Sequence, residues 1–338
     1  MNAVLMAVRR VAPGLVLAGA VAAGAFGARH ALGVAALSPM ILAIALGVGV
    51  RAAAGMPVGL RPGVGLAART LLRLAVVLLG AQVTLAQVGA IGGGGVLVLA
   101  AALGGTFLFT LWLGRALGVG QGVGMLIAAG TSICGASAVA AVRSVTRADD
   151  ADVAYAVACV TLFGTLAMVA LPLAAGMLGL DPAAYGLWVG ASVHEVAQVV
   201  AAAYQRGVEA GEIGTVAKLA RVVMLAPVVM ALGLWLARRP GDGVQDGAGE
   251  AAVRPPFPWF VAGFAGLVLV NSLLPLPPAV TGAAGLASVA LLTVALGALG
   301  LETDLRALRA KGLRPLALAG AAWLFIAGFS LVLVRAVV

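Results

Sequence analysis

The chain has 338 residues, of which 63% are apolar and 10% charged, and its net charge is +9. A soluble domain is about 45–50% apolar and about 25% charged. So few charges could not cover this much apolar surface in water, and a water-soluble fold is excluded. Nucleic-acid binding is not indicated either, because no basic face with polar or aromatic readers accompanies the arginines. The composition predicts an all-α, polytopic membrane protein.

Eleven apolar runs approach the roughly 20 residues that a spanning helix needs. In chain order they cover 13–28, 32–50, 71–90, 95–114, 121–142, 153–176, 185–204, 214–237, 257–275, 281–301 and 315–335. We interpret the first run as a retained membrane helix, since no small-x-small cleavage site precedes polar sequence. The chain is therefore predicted to form one membrane domain, 1–338, with a hydrophilic linker at 238–258.

The arginines between the runs predict the orientation of the chain. Short loops rich in Lys and Arg face the cytoplasm, so the pair at 9–10 places the N-terminus inside. With eleven crossings, two basic loops, at 143–147 and 206–221, would lie outside the cytoplasm, against this rule. If the runs 121–142 and 185–204 were both re-entrant, the first conflict would vanish and the second would remain. The sequence leaves this choice open.

Two parts of the chain resemble each other without gaps. Segment 71–117 registers on segment 291–337, so that Gly80 meets Gly300 and Gly92 meets Gly312. Seven helices later in an eleven-span chain means the opposite orientation, and inverted repeats are a hallmark of secondary transporters. Chance similarity between helices rich in Gly, Ala and Leu is the alternative.

A second echo is shorter. The motif GTSICGASAVAA from Gly130 resembles GASVHEVAQVVA from Gly190. With two full spans between them, these motifs would run in the same direction. The two echoes therefore do not fit one simple duplication.

The stretch AGTSICGASA at 129–138 combines small residues with weak polar groups. Such a stretch favours an interrupted helix, whose freed backbone N–H groups bind anions when they line a cavity. The predicted substrate-binding residues are Gly130, Thr131, Ser132, Cys134, Gly135 and Ser137. Close helix packing through small residues is the alternative.

The stretch SVHEVAQ at 192–198 lies in the middle of an apolar run, and Glu195 is the only acidic residue deep inside any predicted span. A carboxylate at the bilayer centre costs at least about 2.5–3.5 kcal/mol, and such residues usually mark ion or proton pathways. At helical spacing, Ser192, Glu195 and Gln198 would share one face. Because His titrates near neutral pH, His194, Glu195 and Gln198 form the predicted ion-coupling site. A satisfied interhelical hydrogen bond is the alternative.

Lys218 and Arg221 begin the eighth predicted span. They are interpreted either as snorkelling anchors at the membrane surface or as a gate for the anion. Cys134 and Cys159 lie inside apolar runs, and their spacing indicates neither a metal site nor a disulfide framework. No metal or cofactor is predicted.

Three motifs together resemble a known family. GTSICGASAVAAV, GASVHEVAQVVAAA and VAKLARVVMLAP are similar, in order and spacing, to motifs of the YeiH-type family of bacterial inner-membrane proteins, commonly labelled sulfate exporters. The family's usual threonine in KLTR is Ala220 here. The resemblance covers nearly the whole chain. It implies a multi-span inner-membrane protein with inverted repeats, as in bile-acid/sodium and sodium/proton transporter folds, and assigns no binding residue.

These features together predict a secondary transporter for a small anion such as sulfate or a sulfonate, coupled to protons or sodium, and the family label implies an exporter. Two other classes stay open. An intramembrane enzyme would need a nucleophile–base pair, which Ser132 or Cys134 with His194 could supply. A non-catalytic membrane partner or sensor would usually carry a soluble output domain or a long tail, and the sequence predicts neither.

Overall fold

The computed structural model describes residues 2–32, 38–143, 146, 148, 150–237, 259–274, 276–303 and 312–337. Regular structure within these ranges is helical throughout, which confirms the prediction of an all-α protein. The predicted linker at 238–258 lies outside the described residues.

The helices up to the middle of the chain are α1 (Asn2–Leu32), α2 (Pro39–Ala54), α3 (Arg61–Leu66), α4 (Leu72–Leu79), α5 (Leu85–Ala90), α6 (Gly92–Ala116), α7 (Gln121–Ala129), α8 (Ala136–Arg143) and α9 (Asp150–Leu178). Those that follow are α10 (Pro182–Ser192), α11 (Val196–Ala203), α12 (Val208–Val223), α13 (Leu225–Ala237), α14 (Trp259–Leu273), α15 (Pro278–Glu302) and α16 (Leu313–Val337). One turn of π-helix, Ala67–Leu71, joins α3 to α4.

Seven helical segments among the described residues are long and apolar enough to cross a membrane. They are Arg9–Ala31, Val58–Gln82, Gly92–Ala116, Ala151–Leu178, Val208–Trp235, Pro278–Glu302 and Leu313–Val337. A helix of about 25 residues is about 37 Å long, enough for a hydrocarbon core of about 30 Å. The protein is therefore a multi-pass membrane protein.

The third predicted span is displaced along the chain. The sequence predicts this span at 71–90, whereas the helical segment that is long enough to cross a membrane runs from Val58 to Gln82. Arginines and prolines between positions 51 and 69 interrupt the apolar pattern, so hydropathy alone starts this span too late. Pro62 lies in the first turn of α3, where a missing N–H costs nothing, so the proline begins this helix and does not break it.

Helices α4 and α15, which carry parts of the two repeat segments, are antiparallel. Ser288 Oγ on α15 donates to the carbonyl of Ala75 on α4 at 3.2 Å. Arg69, in the π-helical turn before α4, forms an ion pair with Glu302 at the end of α15 at 3.4 Å. As residue numbers fall along one helix, they rise along the other.

The pair α6 and α16 is also antiparallel. Gly105 packs on the ring of Phe329, and Gly114 packs on Leu318. The helix that begins next to Gly92 in the first segment therefore runs opposite to the helix that begins next to Gly312 in the second. Both glycines have positive φ, +61° and +87°.

The segment α7–α8 folds back on itself. A Cβ built on Gly122, near the start of α7, would lie 3.5 Å from Cα of Ala148, which follows α8. A straight helix would separate two residues 26 positions apart by about 39 Å. We call this segment, residues 121–143, the first hairpin.

The segment α10–α11 folds back as well. The hydroxyl of Tyr185, near the start of α10, donates to the carbonyl of Ala202, near the end of α11, at 2.9 Å. A continuous helix would separate these residues by about 25 Å, far beyond the reach of a tyrosine. We call residues 182–203 the second hairpin. Two of the eleven predicted spans are therefore hairpins, and the count of eleven crossings is not confirmed.

The hairpins enter the protein from opposite ends of α9. The base of the first hairpin lies beside the start of α9, where Gly122 packs on Asp152. The base of the second lies beside the end of α9, where Gly176 faces Arg206. The two motifs of the shorter echo therefore run in opposite directions. The expectation that they run in the same direction was wrong, because it assumed that each segment crosses the membrane fully.

Candidate functional site

The tip of the first hairpin is a break in the helix. A turn of π-helix, Gly130–Cys134, extends α7, and Gly135 then adopts φ +66° and ψ −132° before α8 begins at Ala136. A residue with a Cβ is strained in this conformation. The prediction that the helix ends near Gly135 is confirmed.

The second hairpin is interrupted at the positions that the shorter echo aligns with the tip of the first hairpin. Helix α10 ends at Ser192, Val193 and Glu195 are extended, and α11 begins at Val196. Because the helix is interrupted here, Ser192, Glu195 and Gln198 do not share one helix face, and that expectation was wrong.

The three side chains instead reach three different helices. Ser192 Oγ lies 3.0 Å from Ser330 Oγ on α16. Gln198 Nε2 donates to the carbonyl of Thr161 on α9 at 3.3 Å, and its Oε1 accepts from the backbone N–H of Glu195 at 3.2 Å. Glu195 reaches the first hairpin.

The carboxylate of Glu195 binds the N-terminal end of α8. Its Oε1 accepts a hydrogen bond from the backbone N–H of Ala136 at 2.5 Å, and the residue is 8% exposed. A Cβ at Gly135 would overlap this carboxylate. Helix N-termini favour anions, which explains how the charge is held. The prediction that Glu195 lies in the protein interior is confirmed. Its carboxylate contacts residues 129–138, and the shared binding cavity predicted for them stays a prediction.

Lys218 bridges the C-terminal ends of α7 and α10, the first helix of each hairpin. It is fully buried, and its Nζ donates to the carbonyls of Ile133 at 2.7 Å and Val193 at 2.8 Å. These carbonyls are freed by the breaks after α7 and α10, and the negative end of a helix dipole favours a cation.

Arg221, one turn further along α12, bridges the same two ends. Its Nη1 donates to the carbonyls of Gly190 at 2.9 Å and Ala191 at 2.6 Å, and its Nη2 donates to those of Ser132 at 2.5 Å and Thr131 at 3.2 Å. Arg221 is also fully buried. The interpretation of Lys218 and Arg221 as snorkelling anchors was therefore wrong; their role as a gate stays a prediction.

The sequence missed one buried acid. Glu212 is 8% exposed and lies in α12, so Glu195 is not the only carboxyl group inside a span. Helix α12 begins at Val208, six residues before the predicted span. Its first half packs on the second hairpin, as the contact of Gly186 with Ala210 shows. This half also contains Glu209 and Glu212, and their charges lower its mean hydropathy.

Several buried polar atoms at the tips have no hydrogen-bond partner among the described residues. They are Thr131 Oγ1, Ser132 Oγ, Arg221 Nε and both ring nitrogens of His194. Buried polar groups are nearly always hydrogen-bonded. The five atoms belong to residues of the two tips and to Arg221, which bridges them, so each could bond to water or to a polar ligand.

The other polar groups of the predicted cradle bond to each other. Ser137 Oγ lies 3.1 Å from Cys134 Sγ and donates to the carbonyl of Cys134 at 3.0 Å. Neither ring nitrogen of His194 has a hydrogen-bond partner among the described residues. Ser132 and Cys134 therefore do not bond to this imidazole. The nucleophile–base pair that an intramembrane enzyme would need is not formed by these described residues.

Comparison with known proteins identifies the family of this chain. The family model described as conserved hypothetical protein 698 matches residues 13–319. The chain belongs to this family. Its relatives include a UPF0324 membrane protein of Pseudomonas putida, 40% identical over 88% of this chain and 85% of that protein.

Two further UPF0324 relatives are similarly close. One from Pseudomonas aeruginosa is 39% identical over 96% of this chain and 94% of its own length. Another, from Paracoccus denitrificans, is named TauZ and is 39% identical over 86% of each chain. No solved structure matches the chain, so the likeness to bile-acid/sodium and sodium/proton transporter folds stays a prediction.

Proposed function

We propose that this UPF0324 protein is a secondary transporter for a small anion, such as sulfate or a sulfonate, in the bacterial inner membrane. The observation that carries the proposal is the meeting of two opposed hairpin tips in the buried core. Four half-helix ends converge there together with unpartnered hydroxyl and imidazole groups. Helices interrupted at the midplane are the usual binding sites of secondary transporters.

The charges at the tips favour an anionic substrate. Lys218 and Arg221 can carry two positive charges, and Glu195 can carry one negative charge against them. All three are buried, where charges need partners. When both basic groups are protonated, the site has an excess of one positive charge with Glu195 ionised and of two with Glu195 protonated.

Glu195 acts, in this proposal, as a tethered anion that competes with the substrate. Its carboxylate occupies the N–H of Ala136, which is the donor that a bound anion would use at the start of α8. Protonation of Glu195 removes the negative charge and frees this donor. Anion binding and proton binding then favour each other, which is the coupling that transport requires.

Protons suit this site better than sodium ions. Sodium sites in interrupted helices use unwound backbone carbonyls. Here the carbonyls of Thr131, Ser132, Ile133 and Val193 accept from Lys218 or Arg221. A cation at these carbonyls would face two fixed positive charges.

The antiparallel pairs α4–α15 and α6–α16 support an inverted repeat made of segments 71–117 and 291–337, and the opposed hairpins support a second inverted pair. Inverted repeats give a transporter two similar conformations that open to opposite sides. Export as the direction of transport belongs to the same proposal.

Counterflow in proteoliposomes tests this function. Vesicles loaded with unlabelled sulfate, a sulfonate or chloride are diluted into a trace of the labelled anion. We expect labelled sulfate or sulfonate to accumulate transiently, and not with empty liposomes. Wild-type vesicles that show no trans-stimulated uptake of any anion would contradict the proposal.

A further inference from the structure

A basic cavity lies away from the hairpins, where two spanning segments begin. It is an open depression of about 590 Å³, lined by Arg9, Arg10, Val58, Gly59, Arg61 and Pro62. The described lining residues include three guanidinium groups and no carboxylate. Three like charges around one concavity repel each other, and a bound anion would remove that cost.

The frame of this cavity is fixed by direct backbone contact. Gly14 of α1 packs on the carbonyl of Leu60, and Gly63 of α3 packs on the carbonyl of Val11. A Cβ at either glycine would overlap these backbone atoms. The arginines of α1 and α3 are therefore held on one side of a close helix crossing.

The position of the cavity points to a lipid and not to a soluble ion. The segment of α1 that can span the membrane begins at Arg9, and the next such segment on this side begins at Val58. The lining is therefore level with lipid headgroups. Val58 lies on its rim with 75% of its surface exposed, which offers an apolar contact for an acyl chain beside the guanidinium groups.

We propose that this cavity binds the phosphate headgroup of an anionic phospholipid on the cytoplasmic side, with Arg9, Arg10 and Arg61 as the phosphate ligands. Arginine donates to phosphate through a planar fork of N–H groups. Basic pockets between membrane helices on this side bind anionic headgroups. The site is independent of the hairpin tips and of the anion proposed to bind there.

Native mass spectrometry with added lipid tests the assignment. The purified protein is titrated with phosphatidylglycerol, phosphatidylcholine or inorganic phosphate, and the bound fraction is measured. We expect phosphatidylglycerol to bind more tightly than phosphatidylcholine or inorganic phosphate. The double variant Arg9→Gln/Arg61→Gln should weaken phosphatidylglycerol binding about 25-fold, at about fivefold per arginine. The matched control is Arg115→Gln/Arg314→Gln, which removes two exposed arginines of α6 and α16 outside the cavity.

The outcomes separate the sources of phosphate. Equal losses of phosphatidylglycerol binding in the two double variants would overturn the proposal, since general surface charge would then explain the affinity. Binding of inorganic phosphate as tight as that of the lipid would overturn the assignment to a lipid. Arg9→Lys/Arg61→Lys keeps the charge and should retain part of the binding, which guards against a loss caused by misfolding.

Discussion

Gly135→Ala should damage both the fold of the first hairpin and the site at its tip. Gly135 has φ +66°, and a Cβ there would overlap the carboxylate of Glu195. The backbone strain costs about 1–3 kcal/mol. The displaced carboxylate would lose a charge-assisted hydrogen bond to Ala136 worth about 1.5–3 kcal/mol. The sum is a large share of a total stability of about 5–15 kcal/mol.

Two measurements check this prediction. Melting in detergent should show a Tm about 5–10 °C lower for Gly135→Ala, and anion counterflow in proteoliposomes should fall with it. The control is Gly124→Ala in the same hairpin, where an added Cβ has nothing within 4 Å. That variant should match or exceed the wild type, because alanine is favoured over glycine in a helix. Equal stability and counterflow in the two variants would refute the role assigned to the break.

Three further outcomes follow from the contacts at the tips. Lys218→Met should abolish counterflow and lower Tm, because the buried carbonyl of Ile133 loses the donor that Lys218 supplies and that of Val193 keeps only a 3.5 Å contact to Arg221; unchanged counterflow would show that this bridge is dispensable. Gly164→Ala should reduce transport, since the new methyl group would overlap the amide of Gln198, and wild-type uptake would argue against a role for that amide. Tyr185→Phe should cost about 1 kcal/mol in melting experiments without changing the choice of anion; a changed anion preference would place Tyr185 in the site.

The break at Gly135 could be predicted from the sequence, whereas the fold-back could not. Glycine and hydroxyl residues at 129–138 weaken a helix in any context, so the interruption is local information. An apolar run of about 20 residues looks the same whether it crosses the bilayer or returns halfway. Only a long-range contact such as that between Tyr185 and Ala202 distinguishes the two.

The roles of Lys218 and Arg221 were hidden for a related reason. Their acceptors are backbone carbonyls at helix ends, and a backbone carbonyl has no sequence signature. Once the hairpins are known, the basic residues become the expected partners of the freed carbonyls. The importance of Glu195 could be predicted from the sequence, because a carboxylate in an apolar membrane segment costs free energy and usually serves a function.

The proposed coupling of anion transport to protons depends on Glu195. Glu195→Gln mimics the protonated side chain, and its amide cannot take up or release a proton. We therefore expect the variant to retain anion counterflow and to lose the stimulation by an imposed pH gradient. Glu209→Gln, at an exposed position near the start of α12, is the matched control and should behave as the wild type.

The decisive measurement is uptake of the labelled anion into proteoliposomes, with and without a pH gradient, for the wild type and these two variants. We expect the gradient to accelerate uptake in the wild type and in Glu209→Gln but not in Glu195→Gln, while counterflow persists in all three. Uptake by Glu195→Gln that responds to the pH gradient as the wild type does would contradict the claim.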